Sequence, residues 1–480
     1  MSSETQQPRA WIDGLGVGSV LRTFKMAVHP YRLVLALAAI FLTYSWGTML
    51  DWTWTAMDRG VRPDAVQRYL AWSSRSAGDV SGKAGVFATW RGFEVECIHN
   101  AILSVRFGRL IGTTDVGGPT VITAGMVSSD SARGVFANVV LMGRGMVWMI
   151  SHHFVYAALF WGVAILIWGF FGGAICRTAA VQLARGETLG LTPALLYARD
   201  KLFGGFFMAP VIPLVICLIV GLFLAAGGLF LRIPYLGDLV GGLAFFLALF
   251  GGLIIAMVLV GGVAGGSLFW PTIAVEGSDG FDAISRSFSY VFARPVRALW
   301  YATAAITVGS FGWMLVRFVL WLALASTHLF VDFGSGTKLS HLWDAPTVES
   351  MYRMAGEAVA GGGVRFAAAA VIGLWVLPVI ALPWAFLASF YLCASTAIYF
   401  LLRFDVDGTE WSELFYEEEV GDTESASSTV SAAAPHPRTA AASGGGGAKL
   451  SPPAPIENPE AGTFKTAMPD DKPSEPPTMR

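Results

Sequence analysis

The sequence is poor in charged residues. Only 14% of its 480 residues are Asp, Glu, Lys or Arg, whereas soluble domains carry roughly 25%. Hydrophobic residues make up 54% of the chain, and its mean hydropathy is +0.58. So few charged side chains cannot cover several soluble domains. The composition indicates a polytopic membrane protein, and it excludes collagen, coiled coils and disulfide scaffolds.

Cysteine and catalytic motifs are also scarce. Cys97, Cys176, Cys217 and Cys393 stand alone without a CxxC pair, which excludes a disulfide framework and a thiolate metal site. No HExxH, GxSxG or GxGxxG motif occurs in a fitting context. The basic residues are scattered and mostly flank apolar runs. We therefore predict no catalytic residue, no metal, no cofactor and no nucleic-acid partner.

Long apolar runs, in contrast, are abundant. A helix needs about 20 mostly apolar residues to cross ~30 Å of hydrocarbon. The runs predict an all-α membrane protein with six transmembrane helices. Some runs exceed 20 residues and could each hold two elements, which leaves eight membrane helices as an alternative. Spans 1 to 6 are predicted at 31–50, 154–174, 204–231, 239–274, 299–327 and 366–402.

The basic residues predict the orientation. Short loops on one side of the predicted spans hold 12 Lys or Arg residues, and those on the other side hold four. The positive-inside rule then places both termini in the cytoplasm, with residues 1–30 as a cytoplasmic segment and the chain in a cell inner membrane. No cleavage pattern follows the first apolar run, so span 1 is expected to be uncleaved.

Residues 51–153 form the long segment between spans 1 and 2. Apolar residues recur at helical spacing between Phe87 and Val105, and a second apolar helix is expected at 132–150. We therefore predict an extracytoplasmic helical cap. Whether it lies on the membrane surface stays open. The five-span bundle follows at 154–403.

The chain beyond the bundle changes character. Residues 404–420 form an acidic cytoplasmic segment, and nine acidic residues precede the first basic one. Ser, Ala, Gly and Pro then dominate. Such a composition cannot bury enough apolar surface to fold, so 421–480 are predicted to be disordered. The tail is either a docking segment for a protein partner or a solvated leftover.

Two predicted cytoplasmic loops share a pattern. An amphipathic helix at 194–202 follows an expected cap at Thr192-Pro193, and another is predicted at 281–292. Such helices beside basic residues lie in the plane of the inner leaflet. The pattern is either an internal repeat or two ordinary loops.

One of these loops carries a resemblance. The stretch from Pro271 to Trp300 has an acidic, Gly-containing turn, then "DAISRSF", then an aromatic and basic run. It resembles loops in poorly characterised polytopic bacterial inner-membrane proteins, and distantly the membrane domain attached to some glycerophosphodiester phosphodiesterases. The resemblance covers about 30 residues. It implies a helical membrane domain of unassigned function and transfers no catalytic residue.

Several features within the spans are candidates for function. Span 4 is rich in Gly, including two overlapping GxxxG pairs, which favours close helix packing or a homo-oligomer. Pro378 and Pro383 interrupt span 6, and two prolines enter span 3. Arg317 is the one formal charge deep in a predicted span. It is either functional or extends to the outer headgroups.

Polar residues of the predicted cap form the last candidate. Glu96 and His99 are one turn apart, and His152 and His153 stand before span 2. Tertiary contact between the two groups would give a metal site. Three functions follow. The leading one is a non-enzymatic structural or assembly component in the lipid bilayer. The alternatives are a lipid-handling protein or transporter with a site between spans 3 and 6, and an intramembrane metalloenzyme.

Overall fold

The computed structural model describes residues 17–70, 82–106, 134–347, 350–356, 359 and 363–415. Within them the chain forms helices and no β-strand, which confirms the all-α membrane fold. Seven helical stretches of this part are long and apolar enough to cross a membrane. Six coincide with the predicted spans, and the seventh lies in the predicted cap. The predicted disordered tail, 421–480, lies outside the described residues.

The helices are numbered along the chain. A π-helical turn at Leu202–Phe207 precedes α8, and a 3₁₀ turn at Gly266–Leu268 precedes α11. Their bounds are α1 Val17–Ala27, α2 Pro30–Ala56, α3 Ala65–Tyr69, α4 Val86–Arg106, α5 Val135–His152, α6 Phe154–Arg185, α7 Leu191–Asp200, α8 Met208–Phe230, α9 Leu236–Leu243, α10 Phe245–Gly265, α11 Phe269–Glu276, α12 Gly280–Ala293, α13 Pro295–Ser335 and α14 Gly363–Asp407.

The spans pair into three hairpins. The first hairpin joins α2 and α6, the second joins α8 and α10, and the third joins α13 and α14. A short helix precedes each hairpin: α1, α7 and α12 respectively. The sequence pattern revealed two of these helices, and the structure adds α1. Val20, Thr23 and Ala27 give α1 a buried stripe, while Arg22 and Lys25 are exposed.

The short helices link the hairpins in a ring. Helix α7 packs on α6 of the first hairpin, and α12 packs on α8 and α10 of the second. Helix α1 packs on α13 and α14 of the third hairpin, although it precedes the first. Helices α7 and α12 thus each cover the hairpin that precedes them, and α1 covers the third hairpin and closes the ring. We call the end that carries α1, α7 and α12 the basic end.

Small side chains let the returning helices meet at the centre. The inner part of α6 packs on both α11 and α14. A Cβ atom on Gly172 would lie 3.0 Å from Trp270 Cζ3 and 3.4 Å from Leu392 Cδ1, so Gly172 touches both other helices. Each helix also carries a buried hydroxyl residue here, at Thr178, Thr272 and Thr396. Glycine therefore sets the close approach of the three helices.

The cap shares a hydrophobic core with Leu50 of α2 and Phe160 of α6. Helices α4 and α5 pack together around Phe93, Leu141 and Met149, all fully buried. Helix α2 continues to Ala56, six residues beyond the predicted end of span 1. Asp51, which the sequence placed at the start of the cap, therefore lies within this helix.

Two helix starts can be compared with prediction. The expected cap at Thr192-Pro193 is wrong, because α7 begins at Leu191 behind Gly190. Helix α12 begins at Gly280, close to its predicted start at residue 281. The Asp279 carboxylate caps it by accepting a hydrogen bond of 3.0 Å from the amide of Asp282.

Candidate functional site

A buried carboxylate organises the basic end of the bundle. Glu276 is the last residue of α11, and its side chain is 9% exposed. Arg286 Nη1, from α12, lies 2.6 Å from Glu276 Oε2. Arg403 Nε, from α14, lies 3.4 Å from Oε1, and the Tyr399 hydroxyl also donates to Oε1. Three helices therefore meet on one carboxylate, which compensates its burial with two cations.

The chain turns back over this carboxylate after α14. We call residues 408–415 the strap. The strap begins at Gly408, whose φ of +68° ends the helix. The amide of Phe415 donates to the carbonyl of Val275 at 3.0 Å, and Arg403 Nη1 donates to the carbonyl of Glu413 at 2.8 Å. The Trp411 ring stacks on Phe400 with centroids 5.4 Å apart. The first part of the predicted acidic segment is thus folded onto the bundle.

Two further basic residues hold the strap and the end of α11. Arg177 is buried, donates to the carbonyls of Ala274 and Phe415 at 2.8 Å each, and lies over the Tyr197 ring at 4.3 Å. Lys201 Nζ donates to the carbonyl of Gly277 at 2.8 Å. Cations are favourable at a helix C-terminus, where carbonyl groups lack helical partners.

A pocket opens between the strap and the helices. Its volume is about 410 Å³, within the range of small-ligand sites. Its wall carries both signs of charge beside apolar surface. The lining residues are Val275, Glu276, Arg286, Arg403, Glu413, Leu414 and Phe415.

Two acidic residues near the pocket have protein partners. Asp405 accepts a hydrogen bond of 2.9 Å from the Tyr301 hydroxyl and pairs with Arg297. Asp407 accepts one of 2.5 Å from Tyr290, whose pKa is raised to about 12, mainly by burial. These contacts join α14 to α12 and α13.

A second carboxylate joins the cap to the bundle. Asp51 is buried and accepts hydrogen bonds from the amides of Phe87 and Ala88, at 2.9 and 2.8 Å, and from the Tyr156 hydroxyl at 2.6 Å. The two amides belong to the first turn of α4, where an anion is stabilised by the unpaired N–H groups. A Cβ atom on Gly85 would overlap the carboxylate, so glycine makes room for this contact.

The predicted metal residues are not brought together in the described part of the chain. Glu96 is exposed, and the side chain of His99 lies outside the described residues. His152 is exposed and contacts Ser151 and Tyr69. Burial and the neighbouring His152 lower the pKa of His153. Among the described side chains, no three His, Cys, Asp or Glu residues are grouped to hold a metal.

The sequence predicted that Glu94, two residues before Glu96, lies off the apolar stripe of this helix, and that prediction is wrong. Its side chain is buried against Gly145 of α5. Burial raises its pKa to about 7, although Trp90 opposes the shift. The signal was available, since Glu94 follows Trp90 and Phe93 at the spacing of the apolar face.

The remaining candidates lie apart from the pocket. The Arg317 guanidinium lies 5.2 Å from the centroid of the Trp313 ring, and the residue is half-buried. Pro378 is exposed and Pro383 is buried, both inside the continuous helix α14. Helix α8, span 3, packs mainly on α10, while α14, span 6, packs mainly on α13, α2, α1 and α6. Spans 3 and 6 are therefore not packed tightly together within the described residues.

No family model, curated protein or solved structure matches the chain. The fold and composition place the chain among multi-pass all-α membrane proteins.

Proposed function

We propose that the protein is a non-enzymatic structural or assembly component that presents its C-terminal tail to a protein partner. The strap carries this proposal. Arg177 and Arg403 hold the backbone of Phe415 and Glu413 against the end of α11. Phe415, the last described residue before the tail, is therefore held at a fixed point, and a partner that binds beside it would lose less entropy on docking than one that binds a free segment.

The proposed location is the bacterial inner membrane, with the basic end and both termini in the cytoplasm. The excess of Lys and Arg in the short loops at this end supports the orientation. Helix α5 is apolar enough to span, but its partner α4 carries Arg91, Glu94, Glu96 and Arg106 and is not a candidate span. Because α4 and α5 pair, we place both on the outer side as the cap.

The proposed kinship is with the membrane domain attached to some glycerophosphodiester phosphodiesterases. The stretch that carries it, Pro271 to Trp300, comprises most of α11, all of α12 and the start of α13. It includes Glu276 and Arg286, which gives this short motif a structural role at the junction of two hairpins.

Partner capture tests the leading function. The full chain, a deletion of 417–480 and a shorter deletion of 439–480 would be purified in mild detergent. We expect a stoichiometric partner with the full chain and none after deletion of 417–480. The shorter deletion keeps the acidic residues up to Glu424 and shows whether they are sufficient to bind the partner. A partner retained without 417–480, or none with the full chain, contradicts the proposal.

Self-association through span 4 can be tested at two neighbouring glycines. A Cβ on Gly261 would collide with the Phe288 ring, whereas no atom lies within 4 Å of a Cβ on Gly262. Gly262→Leu should leave the fold intact and, if the outward GxxxG face joins two copies, shift the protein toward the monomer. Gly261→Leu serves as the contrast and should damage the fold itself. An unchanged oligomer in folded Gly262→Leu argues against this contact.

The second candidate is a lipid-handling protein or transporter. The observation that favours it is that spans 3 and 6 do not pack tightly together. The second hairpin joins the bundle mainly through α11, α12 and the π-helical turn at the basic end. Apolar side chains such as Leu222 on α8 and Trp375 on α14 are exposed. Mass spectrometry of co-purified lipids should then find one lipid class enriched over the membrane average. A lipid profile equal to that average would exclude the candidate.

A further inference from the structure

The pocket at the basic end carries a row of alternating charges. Glu413 Oε2 lies 3.9 Å from Arg403 Nη2, Arg403 Nε lies 3.4 Å from Glu276 Oε1, and Glu276 Oε2 lies 2.6 Å from Arg286 Nη1. A ligand in this pocket therefore meets positive and negative groups side by side. A purely anionic ligand would lie beside the carboxylate of Glu276 or Glu413, and a purely cationic ligand would lie beside the guanidinium of Arg286 or Arg403.

The four members differ in exposure. The inner pair is covered, since the side chains of Glu276 and Arg403 are 9% and 13% exposed. The outer members are open, since the side chains of Arg286 and Glu413 are 45% and 64% exposed. The inner pair joins α11 to α14. The Arg286 guanidinium contacts both Glu276 and, at 3.0 Å, Asp282, and its exposed side and the Glu413 carboxylate remain open to a ligand.

The position of the pocket suits a lipid headgroup. It lies where α11 and α14 reach the basic end, beside the amphipathic helix α12. Phe281 and Phe292 of α12 are exposed, which is typical of a helix at the membrane interface. Val275, Leu414 and Phe415 add apolar surface to the pocket. The pocket thus offers charged groups and an apolar wall beside a helix of the kind that lies at the membrane interface.

We infer that the pocket binds the headgroup of a zwitterionic aminophospholipid, with its phosphate on Arg286 and its primary ammonium on Glu413. A guanidinium matches phosphate oxygens with paired N–H donors. A primary ammonium has three N–H donors, which a carboxylate can accept and a quaternary ammonium cannot offer. This inference rests on the lipid-handling candidate, and it names the lipid class and the residues.

The test uses the full chain reconstituted in three vesicle preparations. The vesicles contain phosphatidylethanolamine, phosphatidylcholine or phosphatidylglycerol in a common neutral background, and native mass spectrometry counts retained lipids. We expect phosphatidylethanolamine to be retained about tenfold over the other two, since one lost charge-assisted hydrogen bond changes binding by this order. Arg286→Gln and Glu413→Gln should each remove this preference.

The controls separate binding from folding. Arg199→Gln removes an exposed ion pair with Asp200 on α7, outside the pocket, and should keep the preference. Glu413→Gln keeps the backbone carbonyl that Arg403 uses, so the strap should stay in place. An unchanged thermal unfolding profile of the two pocket variants would show that they are folded.

The outcomes distinguish the inference from the candidate on which it rests. Preference for phosphatidylglycerol, equal retention of phosphatidylcholine, or an undiminished preference in both folded pocket variants overturns the headgroup assignment. If a lipid stays enriched in those cases, the lipid-handling candidate survives with a different site. If no lipid is retained from any vesicle, both fail.

Discussion

Asp51 and Tyr156 join α2 and α6 at the end of the first hairpin opposite the basic end, where the hydroxyl donates to the carboxylate at 2.6 Å. The same carboxylate caps α4 through the amides of Phe87 and Ala88. One side chain therefore fixes the first hairpin and the start of the cap together. This contact adds to the hydrophobic packing of the cap on α2 and α6.

Replacing Asp51 with Ala should loosen the cap. Three donors lose their acceptor, two of them buried, and we expect a loss of about 3 kcal/mol in stability. The measurement is the thermal unfolding midpoint in detergent, together with thiol labelling of the buried Cys97, located by peptide mass spectrometry. Asp58→Asn is the control, since Asp58 forms an exposed ion pair with Lys83 and Asn tolerates the positive φ at this position, so stability should change little. Equal midpoints for the two variants would contradict the assigned role of Asp51.

The centre of the bundle should reject a larger side chain at Gly172. Leu at this position would overlap Trp270 and Leu392, the contacts that bring α6 to the other two hairpins. We expect Gly172→Leu to cost at least about 1–3 kcal/mol. Gly162→Leu is the matched control on the same helix, because nothing lies within 4 Å of its Cβ position. Size-exclusion profiles after graded heating would compare the two, and a tolerated Gly172→Leu would refute the central contact.

The stability of the cap should fall as the pH rises through the titration of Glu94. Burial raises its pKa to about 7 from an ordinary value of 4.5. Between these values the folded cap binds a proton that the unfolded chain has already released, so rising pH favours unfolding, and the effect levels off above about 7. Thermal melts followed by tryptophan fluorescence across this window would measure the slope.

The Glu94 prediction has a control on the same helix. Glu94→Gln should flatten the dependence, because the amide stays neutral at every pH. Exposed Glu96→Gln should keep it. A slope that survives Glu94→Gln would assign the pH dependence to another group.

The strap should detach when Gly277 is replaced. Gly277 has a φ of +65°, and its Cβ would collide with the ring of Phe415. Gly408 has a similar φ of +68° but open space around its Cβ. Ala at either position incurs a backbone cost of about 1–2 kcal/mol, and only Gly277→Ala adds the collision. A Glu-specific protease should cleave after Glu413 faster in Gly277→Ala than in Gly408→Ala. Equal rates would show that Phe415 does not hold the strap.

The sequence predicted the hairpin framework because long apolar runs and basic flanks are local signals. The six predicted spans lie where long helices form, and α12 begins one residue before its predicted start at residue 281. The polar contacts were not predictable in this way. Glu276 meets Arg403 across 127 positions of chain, and Asp51 meets Tyr156 across 105. No spacing rule connects residues so far apart, and the surrounding turn residues gave no sign of the pairing.

Helix α1 escaped prediction for a different reason. Its length was not the obstacle, since the predicted α7 is shorter. Its buried stripe of Val20, Thr23 and Ala27 is explained only by the contact with α13 and α14. The Gly-rich face of span 4 shows a similar limit. The sequence predicted close packing there, and the structure decides that Gly261 and Gly265 face Phe288 while Gly262 and Gly266 do not.

The ring closed by α1 also constrains how the protein is made. Helix α1 is synthesised before any span, yet the surface that covers Val20 and Thr23 belongs to the last hairpin to leave the ribosome. Until α14 is inserted, the surface that buries Val20 and Thr23 of this helix has not formed. Membrane insertion of this chain can therefore be complete only after its last span, and an interrupted translation product should be recognisable to quality-control proteases by its uncovered first helix.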